Sequence, residues 1–179
     1  VYCNRLRELY PDVPIIIGGI EASLRRMAHY DYWSNAIRRS ILVDSQADLL
    51  IYGMGERAII EIAADLQQGI EVGNIQDVQG TCYRVPNKDY AWDYLELPSF
   101  AEVRADKKRF AEAFKLEYLE QDPIRGRRLV QQNDEWCVVQ NPPALPLTEE
   151  QMDEVYDLPY MRTYHPIYEK AGGVPAIKE

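Results

Sequence analysis

Two glycine-bearing stretches hold the residue types from which a ligand site can be built. They are Ile17-Gly18-Gly19-Ile20-Glu21-Ala22-Ser23 and Tyr52-Gly53-Met54-Gly55-Glu56. Each follows a short apolar run and precedes a helical pattern, so each reads as a strand-to-helix turn. Glycine lets a backbone turn sharply and approach a ligand with no Cβ in the way. The helix start that follows offers unpaired N–H groups. Gly18, Gly19, Gly53 and Gly55 are therefore the candidate ligand-facing backbone. Glu21 and Glu56 add carboxylates suited to hydroxyls or amines, and the same carboxylates complement a helix dipole. Neither stretch has the G-x-G-x-x-G spacing of a dinucleotide fingerprint.

No other residues assemble a catalytic or metal-binding set. His29 and His165 are the only histidines and lie far apart; each reads as a packing or hydrogen-bonding residue. Ser23 lacks the flanking glycines of a nucleophile elbow. Cys3, Cys82 and Cys137 are odd in number and widely spaced. That pattern fits a reducing cytosol and cannot supply a local thiolate cluster for zinc or iron–sulfur. The thiols read as small buried hydrophobes.

The elements that must position the turns follow from periodicity. Tyr2, Leu6, Leu9 and Tyr10 form one helical stripe that Pro11 and Pro14 end. Ile15-Ile16-Ile17 is apolar without alternation, as in a strand buried on both faces. A helix from about Glu21 to Met27 follows Gly18-Gly19. Tyr30 to Arg39 reads as a loop and a short helix. Ala47 to Tyr52 is a second buried strand, and Ile59, Ile62, Ala63 and Leu66 mark the next helix, ended by Gly69. Gly80 to Val85 is a third strand.

Helix and strand alternate through this half, which predicts an α/β fold. The expected form is a Rossmann-like or flavodoxin-like partial parallel sheet with helices on both faces. Ligands of such sheets bind beyond the carboxyl ends of the strands, where both glycine turns fall. From Asn87 the pattern changes. Ala91 to Glu102 is irregular, Phe110 to Tyr118 is helical, and Arg128–Gln131 with Glu135–Gln140 reads as a hairpin. The tail has one helical turn near Thr148 to Val155. Beyond Asp157 it is expected to run extended. The organisation read from this is 1–86 as the α/β segment, 87–145 as a helix and β-hairpin appendage, and 146–179 as an extended linker.

Composition bounds the partners. Hydrophobic residues make up 46% and charged residues 27% of 179, as in a globular protein. No run approaches the apolar length of a membrane span, and no leader pattern opens the chain, so a cytoplasmic protein is expected. The net charge of −9 repels phosphate backbones, so direct nucleic-acid binding is not expected. Arg125-Gly126-Arg127-Arg128 is a short basic exception and reads as solvated surface. Thirteen tyrosines against three Phe and three Trp suggest a broad contact surface, apolar at the ring and wet at the hydroxyl. The chain opens at Val1-Tyr2-Cys3 and stops at Ile177-Lys178-Glu179 without a cap, so both ends read as internal.

Longer phrases carry a resemblance. Gly18 through Trp33, Arg38-Arg39-Ser40-Ile41-Leu42, Asp48 through Glu56, Gln140-Asn141-Pro142-Pro143-Ala144 and His165-Pro166-Ile167-Tyr168 resemble the YgiQ family of uncharacterised radical S-adenosylmethionine (SAM) proteins. In that family a tail like Gly172-Gly173-Val174-Pro175 leads into a radical SAM core. There a C-x-x-x-C-x-x-C motif holds a 4Fe-4S cluster and S-adenosylmethionine. The family also has a stretch upstream of Val1. None of the three cysteines here matches a cluster ligand. The glycine turns look similar to those of cobalamin-binding domains in other radical SAM enzymes, but the D-x-H-x-x-G pattern is absent.

The resemblance implies an accessory region that packs on a radical SAM core lying outside this chain. The full protein would then carry the 4Fe-4S cluster and S-adenosylmethionine, with no cofactor held here. The alternatives are a self-contained module binding a nucleotide or other small anion at the glycine turns, and a purely structural interaction domain.

Overall fold

The structure, a computed structural model, describes residues 1–178. It divides into two compact units, Val1–Leu145 and Pro146–Glu179.

The first unit is built on a six-stranded sheet. Strand β1 (Ile16–Ile17) lies beside β4 (Leu49–Ile51), followed by β5 (Thr81–Val85), β8 (Trp136–Gln140), β7 (Arg128–Asn133) and β6 (Tyr94–Glu96). The α/β expectation holds, but only part of the sheet is parallel. β1 and β4 pair parallel, Ile16 with Leu49 and Ile17 with Leu50; β6 and β7 also pair parallel. β5 runs antiparallel to both of its neighbours.

The cause of that inversion lies between β4 and β5. Helix α4 (Glu56–Gln67) leads away from the end of β4. Residues 68–80 then travel back across the sheet through a 3-10 turn at Val72–Asn74, burying Ile75 and Val78. This extra leg returns the chain to the edge it left, where Tyr52 N–H bonds Gly80 O at 2.8 Å. The next strand must therefore run the opposite way.

Alternation along the strands makes two cores. Leu50, Cys82, Leu129 and Val138 point to one face with Ala22, Leu42 and Val43. Leu49, Ile51, Tyr83, Val130 and Val139 point to the other with Ala58 and Ile62 of α4. Ala22 belongs to helix α2 (Gly19–Leu24), and Leu42 and Val43 to α3 (Ile41–Ser45). Both faces are thus covered by helix, as the apolar, non-alternating strands required.

Three further local readings change. Residues 30–39, read as loop and helix, form a hairpin of β2 (His29–Asp31) and β3 (Ala36–Arg38). Asp31 closes its turn by accepting from the Ser34 N–H and hydroxyl, and Asn35 takes the left-handed conformation there. Residues 87–145, read as an appendage, supply β6, β7 and β8 to the main sheet. The irregular stretch before Glu102 holds β6 and the start of helix α5 (Phe100–Ala105), fixed by a capping box between Ser99 and Glu102. Helix α6 (Lys107–Leu119) follows directly, and α1 (Tyr2–Leu9) opens the chain.

The second unit, read as an extended linker, carries helical elements. Thr148 and Gln151 form a capping box on α7 (Glu149–Asp157). A 3-10 helix spans Pro166–Ala171, with His165 Nδ1 accepting from Ile167 N–H at 3.2 Å. A short α8 follows at Pro175–Lys178. No helix among the described residues is long and apolar enough to cross a membrane.

Candidate functional site

Parallel pairing puts the ends of β1 and β4 side by side, so the two glycine turns meet. Ser23 joins them: its hydroxyl donates to Gly19 O at 2.8 Å and accepts from Gly53 N–H at 3.2 Å. Gly18 caps α2 in extended backbone, which any residue adopts. Gly19 and Gly53 hold φ of 85° and 69° with open space where a side chain would sit. There the demand is conformational. Gly55 is different, because an added Cβ would lie 2.9 Å from Ile51 Cγ2. That glycine serves helix-to-strand packing.

The two carboxylates are not brought together. Glu21 is exposed and lies 3.4 Å from Arg25 one helical turn on. Glu56 opens α4, on the other face of the sheet, with its Oε2 buried and unpartnered. Each sits in the first turn of its helix, where the dipole favours a negative charge. A carboxylate already there opposes an incoming phosphate, and α2 has six residues. The geometry gives no support to a nucleotide at these turns.

Beneath the turns lies a constellation that sequence reasoning missed. Arg26 Nη1 donates to Ser23 O at 2.6 Å and its Nε to Gln140 Oε1 at 2.7 Å. Its guanidinium sits 5.0 Å from the centre of the Tyr52 ring. Its Nη2 lies 3.7 Å from Glu117 Oε2 of α6, both side chains being largely buried. Burial pushes the Glu117 carboxyl up to about 7, with Arg26 acting the other way. A cavity of about 160 Å³ opens onto this pair, rimmed by Leu24, Phe114 and Tyr118. The site thus holds one carboxyl able to take up or release a proton near neutral pH, beside a guanidinium fixed by two hydrogen bonds. Arg26, Tyr52, Glu117 and Gln140 are scattered along the chain, and no spacing signal could have joined them.

Asn141 locks the same edge. Its amide donates to Gln76 O, Val78 O and Thr81 Oγ1 at 2.9, 3.0 and 3.0 Å. Its Oδ1 accepts from Arg128 at 2.9 Å and its carbonyl from the Tyr52 hydroxyl at 2.6 Å. Burial moves the Tyr52 hydroxyl upward, away from ionisation.

The cysteines do not fit an iron–sulfur cluster. Cys82 and Cys137 are buried in the cores on opposite faces of the sheet, and Cys3 packs at the margin of one of them. Burial pushes the Cys82 thiol up to about 12 and raises Cys137, whereas cluster ligands are thiolates. No group of three His, Cys, Asp or Glu side chains able to hold a metal occurs among the described residues.

The fold and this edge define an α/β domain with a mixed sheet and a closed, internally hydrogen-bonded strand-end surface. The family model described as Radical SAM N-terminal matches residues 1–179, and the chain belongs to that family. It is 60% identical over its whole length to a UPF0313 protein of Clostridium botulinum (strain ATCC 19397 / Type A) and covers 28% of that relative. It is 57% identical to a UPF0313 protein of Clostridium perfringens (strain ATCC 13124), covering 27% of it. The chain therefore spans little more than a quarter of the curated relatives it matches. No solved structure matches it.

Proposed function

We propose that this chain is the accessory N-terminal domain of a cytosolic iron–sulfur protein that reductively cleaves S-adenosylmethionine. In this reading the cluster and the S-adenosylmethionine are held by polypeptide outside the chain. The domain docks on that core through α2 and α6.

The observation that carries the reading is an apolar rim around a charged centre. Ile20, Leu24, Phe114 and Tyr118 are 82%, 71%, 64% and 66% exposed. The last three rim the small cavity at the bottom of which Arg26 meets Glu117, and Ile20 lies on the same helix as Leu24. An apolar rim of this kind marks a contact surface. The occupant is the remaining polypeptide, since the matched relatives are more than three times longer than this chain. Three unpaired thiols agree with a reducing compartment.

The test uses the full-length protein with Leu24→Arg and Tyr118→Arg combined. Both residues are exposed, so the domain itself should still fold. Thermal unfolding is expected to split into separate transitions, with slower reductive cleavage of S-adenosylmethionine and an unaltered cluster spectrum. A single unshifted transition with full activity would remove the docking surface. A full-length protein with no cluster spectrum after anaerobic reconstitution would remove the reading altogether.

A further inference from the structure

A second cavity, of about 860 Å³, lies between the β2–β3 hairpin and the α5–α6 corner. We propose that it binds a small organic anion, a phosphate or carboxylate group carried on an apolar body.

The charge is the first argument. The chain has 29 acidic and 20 basic residues, yet this cavity is lined by Arg38, Arg39, Arg104 and Lys107 against Asp44 and Asp134. Both acids are already engaged by one cation. Arg39 Nε meets Asp44 Oδ1 at 2.6 Å, and its Nη1 meets Asp134 Oδ2 at 3.1 Å. Arg38 donates its Nε to the Ser34 hydroxyl at 3.1 Å, and its one ion-pair contact among the described residues is a long one of 3.9 Å to Asp31. No ion pair to a carboxylate joins Arg104 or Lys107 among the described residues. Three cations from three elements, β3, α5 and α6, therefore converge with little internal neutralisation. Lys107 is also the first residue of α6, where the helix dipole disfavours a cation. A bound anion would offset both terms.

The floor is the second argument. Phe100 and Val103 are buried, and Ile37 and Phe110 pack against them in one small core. An apolar floor beneath a few convergent charged groups is the usual composition of a small-molecule pocket, and the volume falls within the usual range. An inorganic ion would use the rim and leave the floor wet.

The walls are held in place, which is the third argument. Gln131, fully buried in β7, accepts from Ala28 N–H at 2.7 Å and donates to Pro98 O at 2.9 Å. One side chain thus ties the entry to the hairpin and the entry to α5 to the same strand. Ser40 N–H bonds Asn133 Oδ1 at 2.9 Å at the hairpin's other end. A preformed pocket spends little affinity on ordering itself.

The experiment is calorimetry on the full-length protein with phenyl phosphate, phenylacetate and inorganic phosphate, joined to hydrogen exchange with each. Phenyl phosphate or phenylacetate should bind at least tenfold more tightly than inorganic phosphate and should slow exchange in residues 36–39 and 100–110. The stronger of the two identifies the headgroup. Arg104→Ala with Lys107→Ala, both exposed positions, should weaken binding tenfold or more. Arg5→Ala, an exposed cation on α1, should leave it unchanged. The proposal is overturned if the wild type binds none of the probes at millimolar concentration, as when the remaining polypeptide covers the cavity. It is equally overturned if the double variant binds as the wild type does, or if exchange slows elsewhere.

Discussion

Ser23 Oγ lies 3.2 Å from the Gly53 backbone nitrogen and accepts its N–H, although Ser23 stands in α2 and Gly53 on the turn that follows β4. With the bond from the same hydroxyl to Gly19 O, this contact ties the ends of β1 and β4 into one surface. A turn whose N–H groups are satisfied internally offers few of them to a ligand.

Removing that tie should cost little, because Gly53 is exposed and water can replace the hydroxyl. Ser23→Ala is expected to destabilise by about 0.5–1 kcal/mol, read as a small fall in the denaturation midpoint. Gly53→Ala should cost more, about 1–2 kcal/mol, from its left-handed backbone alone. If the serine variant proves the worse of the two, Ser23 does more than bridge.

Asn141 should be the most sensitive polar residue of the edge. It is 1% exposed, and Asn141→Leu would strip hydrogen bonds from Val78 O, Thr81 Oγ1 and Arg128 together. The expected loss is about 3 kcal/mol or more, because buried partners are left unpaired. Equilibrium denaturation of wild type and variant measures it, and a loss below 1 kcal/mol would contradict the hydrogen-bond pattern.

Glu117 sets a pH dependence of definite sign. Its carboxyl is raised from 4.5 to about 7 in the folded protein, so the folded state holds the proton more tightly than the unfolded one. Its contribution is therefore fully present below pH 4.5 and is lost as pH rises toward 7. The span is on the order of 3 kcal/mol, with the opposing pull of Arg26 already included. Glu117→Gln should flatten this part of the stability profile while leaving the acid limb intact. An unchanged slope in the variant would place the titration elsewhere.

Glu102 titrates in the opposite sense. Hydrogen bonds from the Ser99 backbone and hydroxyl, and then Arg109, hold its carboxyl down to about 2. Its contribution is present above its ordinary value of 4.5 and disappears as pH falls toward 2. Ser99→Ala removes the cap of α5 and should cost about 1 kcal/mol near neutral pH, with a smaller difference from wild type in acid. Urea midpoints at pH 3 and pH 7 make the comparison.

Local patterns exposed the apolar elements well. Ile15-Ile16-Ile17, the Ile59 to Leu66 stripe and the Arg128 to Gln140 hairpin each announced an element that is present, because burial leaves either a period or an unbroken apolar run in the sequence. Direction is another matter. β5 runs antiparallel because residues 68–80 cross the sheet with a single 3-10 turn as their regular structure, and so short an element leaves no trace in a periodicity search. The hairpin at 29–38 was hidden for a similar reason. Its strands have three residues each, and its turn depends on Asp31 reaching Ser34. At the strand-end edge the glycines were visible and their neighbours were not. Glycine is read from composition, whereas the Arg26–Glu117 pair exists only after two helices have folded onto one strand.

The sheet's outermost members are both short, two residues in β1 and three in β6. A strand that brief exposes too few free N–H and C=O groups to template another chain. Accidental polymerisation by strand addition therefore has little to grip, even with the rest of the polypeptide absent. Any assembly this domain enters must be negotiated by side chains, which makes its associations selective and open to change by single substitutions.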